Sequence, residues 1–315
     1  MPLRLLETIA VNYSIRDIEL GRGGTVLYAP TWENRRVGCV DVGGGFTGSF
    51  DLPGRPTAIA VSPDERTAMV PATQREPEGE RGKVYVVDLT THRVTATLPV
   101  GNAPGSAAFS PDGSRGYVST YDTEEHGGGN VYVFRTEDWL LLATIAVGEY
   151  AHSVALSPDG RRVFTSCNFA RGSLAIIDAD TNQLSGYVTG MGGDPTGVAV
   201  NPNGILVYVA SLADKHVNIV DTSTGTSTEW IDVGFDPHSL VINEWRAEMY
   251  VAHNRHLPSA SGLVIVIDLH THQVVQRVDV DGHAGGMAVS SDGRRLYCAT
   301  TPTEVRDRIC VFAID

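Results

Sequence analysis

Three histidines stand where chemistry would be expected: His152 in "EYAHSVALSPDG", His238 in "GFDPHSLVIN" and His283 in "DGHAGGMAVSSDG". Each precedes a run of small apolar residues that ends in a polar turn. His152 and His238 occupy the same place relative to that turn, and His283 stands two residues earlier. Imidazoles gathered at one point can move protons near neutral pH. They can also ligate a divalent metal that polarises a carbonyl, so a divalent metal ion is the candidate cofactor. Tyr150 is available as a further acid. Arg16 and Arg55 suit a carboxylate or phosphate through bidentate contacts. Asp194 and Asp236 fall in the same rows, although each precedes proline, and a turn aspartate there also caps backbone N–H groups. Trp32, Asn168, Arg171, His253 and Arg255 sit in long, charged connecting loops. The plainer alternative is that these polar residues satisfy backbone groups, pair with loop acids or face water.

The elements that must position these groups follow from a repeat. Turns at "GRGG", "SPDE", "SPDG", "SPDG", "NPNG", "NEWR" and "SSDG" recur at roughly 41 to 48 residues along the 315-residue chain. Around each turn the pattern is the same. A small-apolar run such as "TAIAV" or "TGVAV" comes first, then a β-branched or aromatic run such as "RGYVST" or "LVYVAS". A third run ends near Asp, as in "KVYVVDL" and "VIVIDLH", and a fourth follows a tight turn, as in "LLATIAVG". Four short strands repeated seven times predict an all-β fold, a seven-bladed β-propeller with four antiparallel strands per blade. The last unit stops after its third strand, "RICVFAID". The N-terminal "RLLETIAVN" matches the missing fourth strand and is expected to close the last blade. The predicted blades span approximately 14–53, 54–101, 102–148, 149–192, 193–234, 235–281 and 282–315 plus 1–12, in one domain.

The "VAVSPDG…YV…VYVVD" pattern resembles the YVTN-type and lactonase-like seven-bladed propellers over essentially the whole chain. The resemblance implies the fold, a central channel lined by the first strand of each blade, and a site in the loops at one channel mouth. It spans lactonases, lyases, cyclases, binding proteins and cofactor-bearing redox subunits, so the fold alone licenses no activity. Strict strand alternation places Arg16, His152 and His238 in one row, and Arg55, Tyr150, Asp194, Asp236 and His283 in the row above it. The same alternation puts Ile18, Ile59, Ala107, Val154, Val198, Leu240 and Met287 deeper on the channel face, predicting an apolar wall beneath a polar mouth.

Two readings follow. One is an enzyme of lactonase, lyase or cyclase type acting on a small anionic or carbonyl substrate, with His152, His238, His283 and Tyr150 catalytic and Arg16 and Arg55 holding an anion. The other is a non-catalytic binding module for a protein or metabolite. A redox scaffold is weaker, because no C-x-x-C-H is present. "HGGGN" at 126–130 lacks a G-x-S-x-G elbow to work with, and no helix follows "GGGFTG". The formal net charge of −13 argues against nucleic acid or an anionic membrane as partner. No apolar window reaches the ~20 residues of a membrane span. The N-terminus lacks a signal-peptide pattern, and a cytoplasmic, monomeric protein is expected. Cys39, Cys167, Cys298 and Cys310 lie in apolar stretches and read as buried free thiols.

Overall fold

A computed structural model describes residues 3–11, 14–15, 17–21, 23–76, 79–122, 128–253, 262–302 and 307–314. Among these residues there is no helix, and none long and apolar enough to cross a membrane. Seven antiparallel sheets form a ring, each with its innermost strand on the axis. The strands that matter most for the site are the inner ones. They include β2 (Glu19–Gly21), β11 (Pro104–Phe109), β15 (Val154–Leu156), β19 (Pro195–Val200), β23 (Pro237–Asn243) and β27 (His283–Val289). In the second blade the inner strand is broken into β6 (Arg55–Pro56) and β7 (Ala60–Val61), both paired with β8 (Thr67–Glu76).

In four blades the recurring turns hold the two inner strands together through their own side chains. Ser110 Oγ donates to Asp112 Oδ1 at 2.5 Å, Ser114 N donates to the same oxygen at 3.0 Å, and Arg115 N returns to Ser110 Oγ at 2.9 Å. Ser62–Asp64, Ser157–Asp159 and Ser290–Asp292 repeat the device at 2.5–2.6 Å. These bonds hold the four carboxyls below the usual carboxylate range. The aromatic of the second strand is buried between blades, as with Tyr28, Tyr117, Tyr208, Tyr250 and Tyr297, and Phe164 fills the place in the fourth blade.

Near the axis the blades are joined by hydroxyl-to-carbonyl bonds. Thr57 Oγ1 donates to Pro104 O (2.8 Å), Ser119 Oγ to His152 O (3.0 Å), Ser166 Oγ to Thr196 O (2.5 Å) and Thr196 Oγ1 to Pro237 O (3.2 Å). The approach is close enough that a Cβ on Gly197 would lie 2.8 Å from the His238 carbonyl oxygen, which demands glycine there.

The ring closes as its ends predict. β1 (Leu3–Ala10) pairs with β29 (Arg308–Ile314), from Leu3 opposite Ile314 to Ala10 opposite Arg308. Beyond it, Val11 N donates to Asp307 O at 2.8 Å and Ile15 N to Asp307 Oδ2 at 2.5 Å. The Gln276 amide of the neighbouring blade clips the Leu3 backbone through Leu3 N (2.6 Å) and Leu3 O (3.0 Å). All four cysteines are buried and free. Deleting residues 1–10 strips the outer strand from the closing blade and bares an edge. Urea unfolding should lose its single cooperative transition, and size-exclusion chromatography should show association. Phe312→Ala, at a fully buried site in β29, should lower stability by about 3–5 kcal/mol in the same urea titration.

Candidate active site

His152 and His238 meet at the channel, their ring centroids 5.3 Å apart and their planes at 84°, edge to face. Both line a cavity of about 150 Å³ with Asp17, Ser106, Ser153, Ser239 and Gly286. The His152 backbone is pinned from both sides: its N–H donates to Ser166 O at 3.0 Å and its carbonyl accepts from Ser119. Tyr121 stands edge-on to His152 at 5.6 Å, and Tyr150 leans on Tyr121 at 4.6 Å. An aromatic chain therefore runs from the rim to the imidazole pair.

Of the apolar wall that strict alternation predicts, Val198 and Leu240 line the cavity and the rest turns away from it. Ile18, Ile59, Val154 and Met287 pack into cores between blades. Four of the inner strands also carry a bulge. Register breaks between Pro104 and Ala107, Pro195 and Val198, Pro237 and Ser239, and Ala284 and Met287. One extra residue turns the following side chains to the other face. The residues immediately after the histidine row, Asp17, Ser106, Ser153, Ser239 and Gly286, also line the cavity.

Asp17 is the functional candidate that alternation missed. Its carboxylate accepts from Ile18 N at 2.9 Å and Ile59 N at 3.4 Å. It fills space that a side chain on Gly286 would need, since a Cβ there would lie 2.6 Å from Asp17 Oδ1. Burial raises the Asp17 carboxyl to about 6. Glu19, two residues deeper, is pushed up to about 8 by burial and then by Asp17. His152 goes the opposite way, down to about 3, through burial and then through His238. Its ring keeps some surface toward the channel but is otherwise enclosed by protein. A signal for Asp17 and Glu19 was present: "RDIELG" carries charge where sister segments carry Ala, Ser, Gly or Val.

The remaining predicted residues are dispersed. His283 heads β27 with a buried Nδ1 that has no hydrogen-bond partner among the described residues, and it does not line the cavity. His253 is 2% exposed and packs against Phe235 at 4.8 Å, inside its blade. Arg55 lies over the Trp32 ring at 5.9 Å, so the two form a rim contact apart from the cavity lining. Asn168 Nδ2 donates to Asp194 Oδ1 at 3.2 Å. Burial, then Asp194 and Tyr150, raises the Tyr121 hydroxyl, which puts Asp194 at the tyrosine pair. Tyr150 and Asp194 both adopt left-handed backbone, with φ of 53° and 50°. Asp236 is half-buried and Arg171 exposed, away from the cavity lining. Arg16 and Arg255 lie outside the described residues.

The donors do not fit the metal set that three histidines would supply. Among the described residues no three His, Cys, Asp or Glu side chains are grouped to hold an ion. The two imidazoles that do meet are set edge to face. A larger cavity of about 460 Å³ lies on the opposite face, between the turns of the second and third blades. Its carboxylates, Asp64 and Asp112, are already engaged in turn hydrogen bonds, so the channel cavity is the better candidate.

The pH dependence of stability should expose the enclosed carboxyl. Between about pH 4.5 and 8 the unfolded Glu19 loses a proton that the native one keeps, so its contribution falls as pH rises. His152 acts oppositely, but only between about pH 3 and 6.5. From pH 6.5 to 8 the Glu19 effect is the one still changing. Thermal melts of Glu19→Gln should therefore be flatter than wild type across that range and higher at pH 8. Parallel curves would place the carboxyl in water.

No family model matches the chain. A segment of 113 residues, 35% of this chain, is 28% identical to the uncharacterized protein YncE of Salmonella typhi and of Salmonella typhimurium, and spans 30% of the length of each. The structure is similar to hydrazine synthase of Kuenenia stuttgartiensis, with a TM-score of 0.82 over 97% of both chains at 17% identity. At that identity the likeness is one of architecture, and what it establishes together with the strand order is the seven-bladed β-propeller fold.

Proposed function

We propose that this protein is a small-molecule enzyme of the hydrolase, lyase or cyclase type, working in the cytoplasm at the mouth of its propeller channel. The observation that carries the reading is the convergence of Asp17, His152 and His238, from three different blades, on one cavity of about 150 Å³. Titratable groups whose environments drive their pKa values apart are the usual basis of acid–base pairs. The enclosed His152 stays neutral through the physiological range, so it offers one N–H donor and one lone pair to a carbonyl or hydroxyl. His238, at its edge, is placed to exchange a proton with the same ligand. Burial first, and then the charge of His238, disfavours the protonated form of His152. Asp17, ionised above about pH 6, supplies the fixed charge opposite. With Arg55 stacked on Trp32, hydrogen bonds rather than that guanidinium would hold the substrate's carbonyl group.

A neutral imidazole also suits a site that holds a metabolite without turning it over, and one experiment separates the two. The variants His238→Ala and Asp17→Asn would be assayed on a panel of small lactones, esters and hydroxy acids. An enzyme predicts a fall in kcat/KM of about 10²-fold or more, with little change in melting temperature. Ligand-induced stabilisation that His238→Ala abolishes, with no turnover of any panel member, would instead make it a binding module. Unchanged turnover in both variants would remove the site from the chemistry.

A further inference from the structure

We infer that the cleft between the second and third blades, on the face opposite the channel mouth, binds a guanidinium group that the chain itself does not supply. The inference is independent of the channel site and comes from comparing the blades with one another. At the end of the third strand, four blades present a backbone carbonyl to the preceding blade, and an arginine of that blade bonds it. Arg115 Nη1 donates to Ala179 O, Arg162 Nη1 to Thr222 O (3.0 Å), Arg246 Nη2 to Ile314 O (3.2 Å) and Arg295 Nη1 to Val42 O (3.5 Å). The four acceptors are equivalent, because the N–H of each donates to a carbonyl of its own blade's recurring turn at 2.8–3.0 Å.

In the third blade the equivalent residue is Thr136, whose N–H donates to Ser114 O at 3.1 Å. Its carbonyl accepts no hydrogen bond among the described residues. The position that carries Arg115, Arg162 and Arg295 holds Thr67 in the second blade, and a threonine is too short to cross. Arg66 beside it is exposed and does not line the cleft. The cleft is accordingly larger, about 460 Å³ against about 300 Å³ where Arg115 crosses.

The lining suits the missing group. Asn182 Oδ1 also accepts from Arg115 Nη1, at 3.4 Å. Its equivalent in the third blade is Trp139, and both hold the same left-handed turn position, with φ of 55° and 59°. Trp139 lines the cleft and stands edge-on to Phe109 at 6.4 Å. An indole is the strongest ring partner for a guanidinium plane. Asp64 and Asp112 line the same space, held ionised by their turn hydrogen bonds, and no Lys or Arg lines it among the described residues. A bare carbonyl, an indole and negative charge together fit a planar cation with several N–H donors better than a compact ammonium, which cannot stack. The cleft between the fifth and sixth blades lacks an arginine too, but Leu206, Ile242 and Leu269 make it apolar.

The test follows the indole N–H signals of the isotope-labelled full chain by NMR at pH 7, with that of Trp139 assigned from Trp139→Asn. The size-matched probes are ethylguanidinium, ethylammonium and ethylurea at constant ionic strength. Ethylguanidinium should move the Trp139 signal and leave those of Trp32, Trp230 and Trp245 in place. Ethylammonium and ethylurea should bind about tenfold or more weakly. Thr67→Arg restores the arginine of the sister blades, so it should abolish the ethylguanidinium shift and raise the melting temperature. An equal shift with ethylurea or ethylammonium would overturn the inference. So would equal movement of every indole signal, or an ethylguanidinium shift that Thr67→Arg leaves unchanged. The comparison of probes on the wild type stands even if the variant fails to fold. An acetyl-Gly-Arg-Gly amide peptide then identifies the source of the group. Binding about tenfold tighter than ethylguanidinium assigns the cleft to an arginine side chain of a peptide, and equal or weaker binding assigns it to a small guanidinium compound.

Discussion

The structure depends on how little room there is where seven strands converge on one axis. Small side chains dominate the channel side of the inner strands, and the blades approach until backbone nearly touches backbone, as at Gly197 and His238. That closeness lets Thr57, Ser119, Ser166 and Thr196 bridge blades through single hydroxyls. Each bridge satisfies a buried carbonyl that the sheet ladder leaves over. It also fixes the position of the next residue inward. His152 is held by such a bridge on its own carbonyl, so the site inherits the rigidity of the ring.

The same crowding sets the electrostatics. Removal from water is the first cause of the shifts at Asp17, Glu19 and His152, and it moves acids up and the imidazole down. One physical cause thus gives a channel that holds a neutral imidazole, a protonated carboxyl and an ionised carboxylate side by side near neutrality. The aspartates of the turns show the contrast. Asp112 and Asp159 sit near water and accept several N–H and O–H bonds, so they are held low and shape the turn.

Function and framework are therefore separable on this fold. Most polar residues that stand out by motif are framework: the turn serines and aspartates, and the aspartates such as Asp88 and Asp268 that cap the outer turns. The groups with unspent chemistry break the repeat instead. His152, His238, Asp17 and Glu19 each replace a small residue on an inner strand, where a larger polar group has no structural reason to be. A ring of near-identical units makes such exceptions conspicuous, because every blade serves as a control for the others.

By itself the sequence determined the architecture. The recurring turns, the four-run unit and the N-terminal copy of a missing strand dictated seven blades and their closure, because each is a local pattern that hydrogen bonding within a blade must obey. It also placed His152 and His238 at equivalent positions, and equivalence within a ring means a shared axis. What only the tertiary structure decided was which side of each inner strand faces the channel. Alternation alone sent Ile18 to the channel and overlooked Asp17, because the side of an inner strand that is lined depends on its pairing and packing with the neighbouring blades. It likewise decided that Arg55 stacks on Trp32 and His253 packs on Phe235, and that His283 stands apart from the imidazole pair. Those contacts join residues through the curvature of the ring and the packing of loops, which no repeat period encodes.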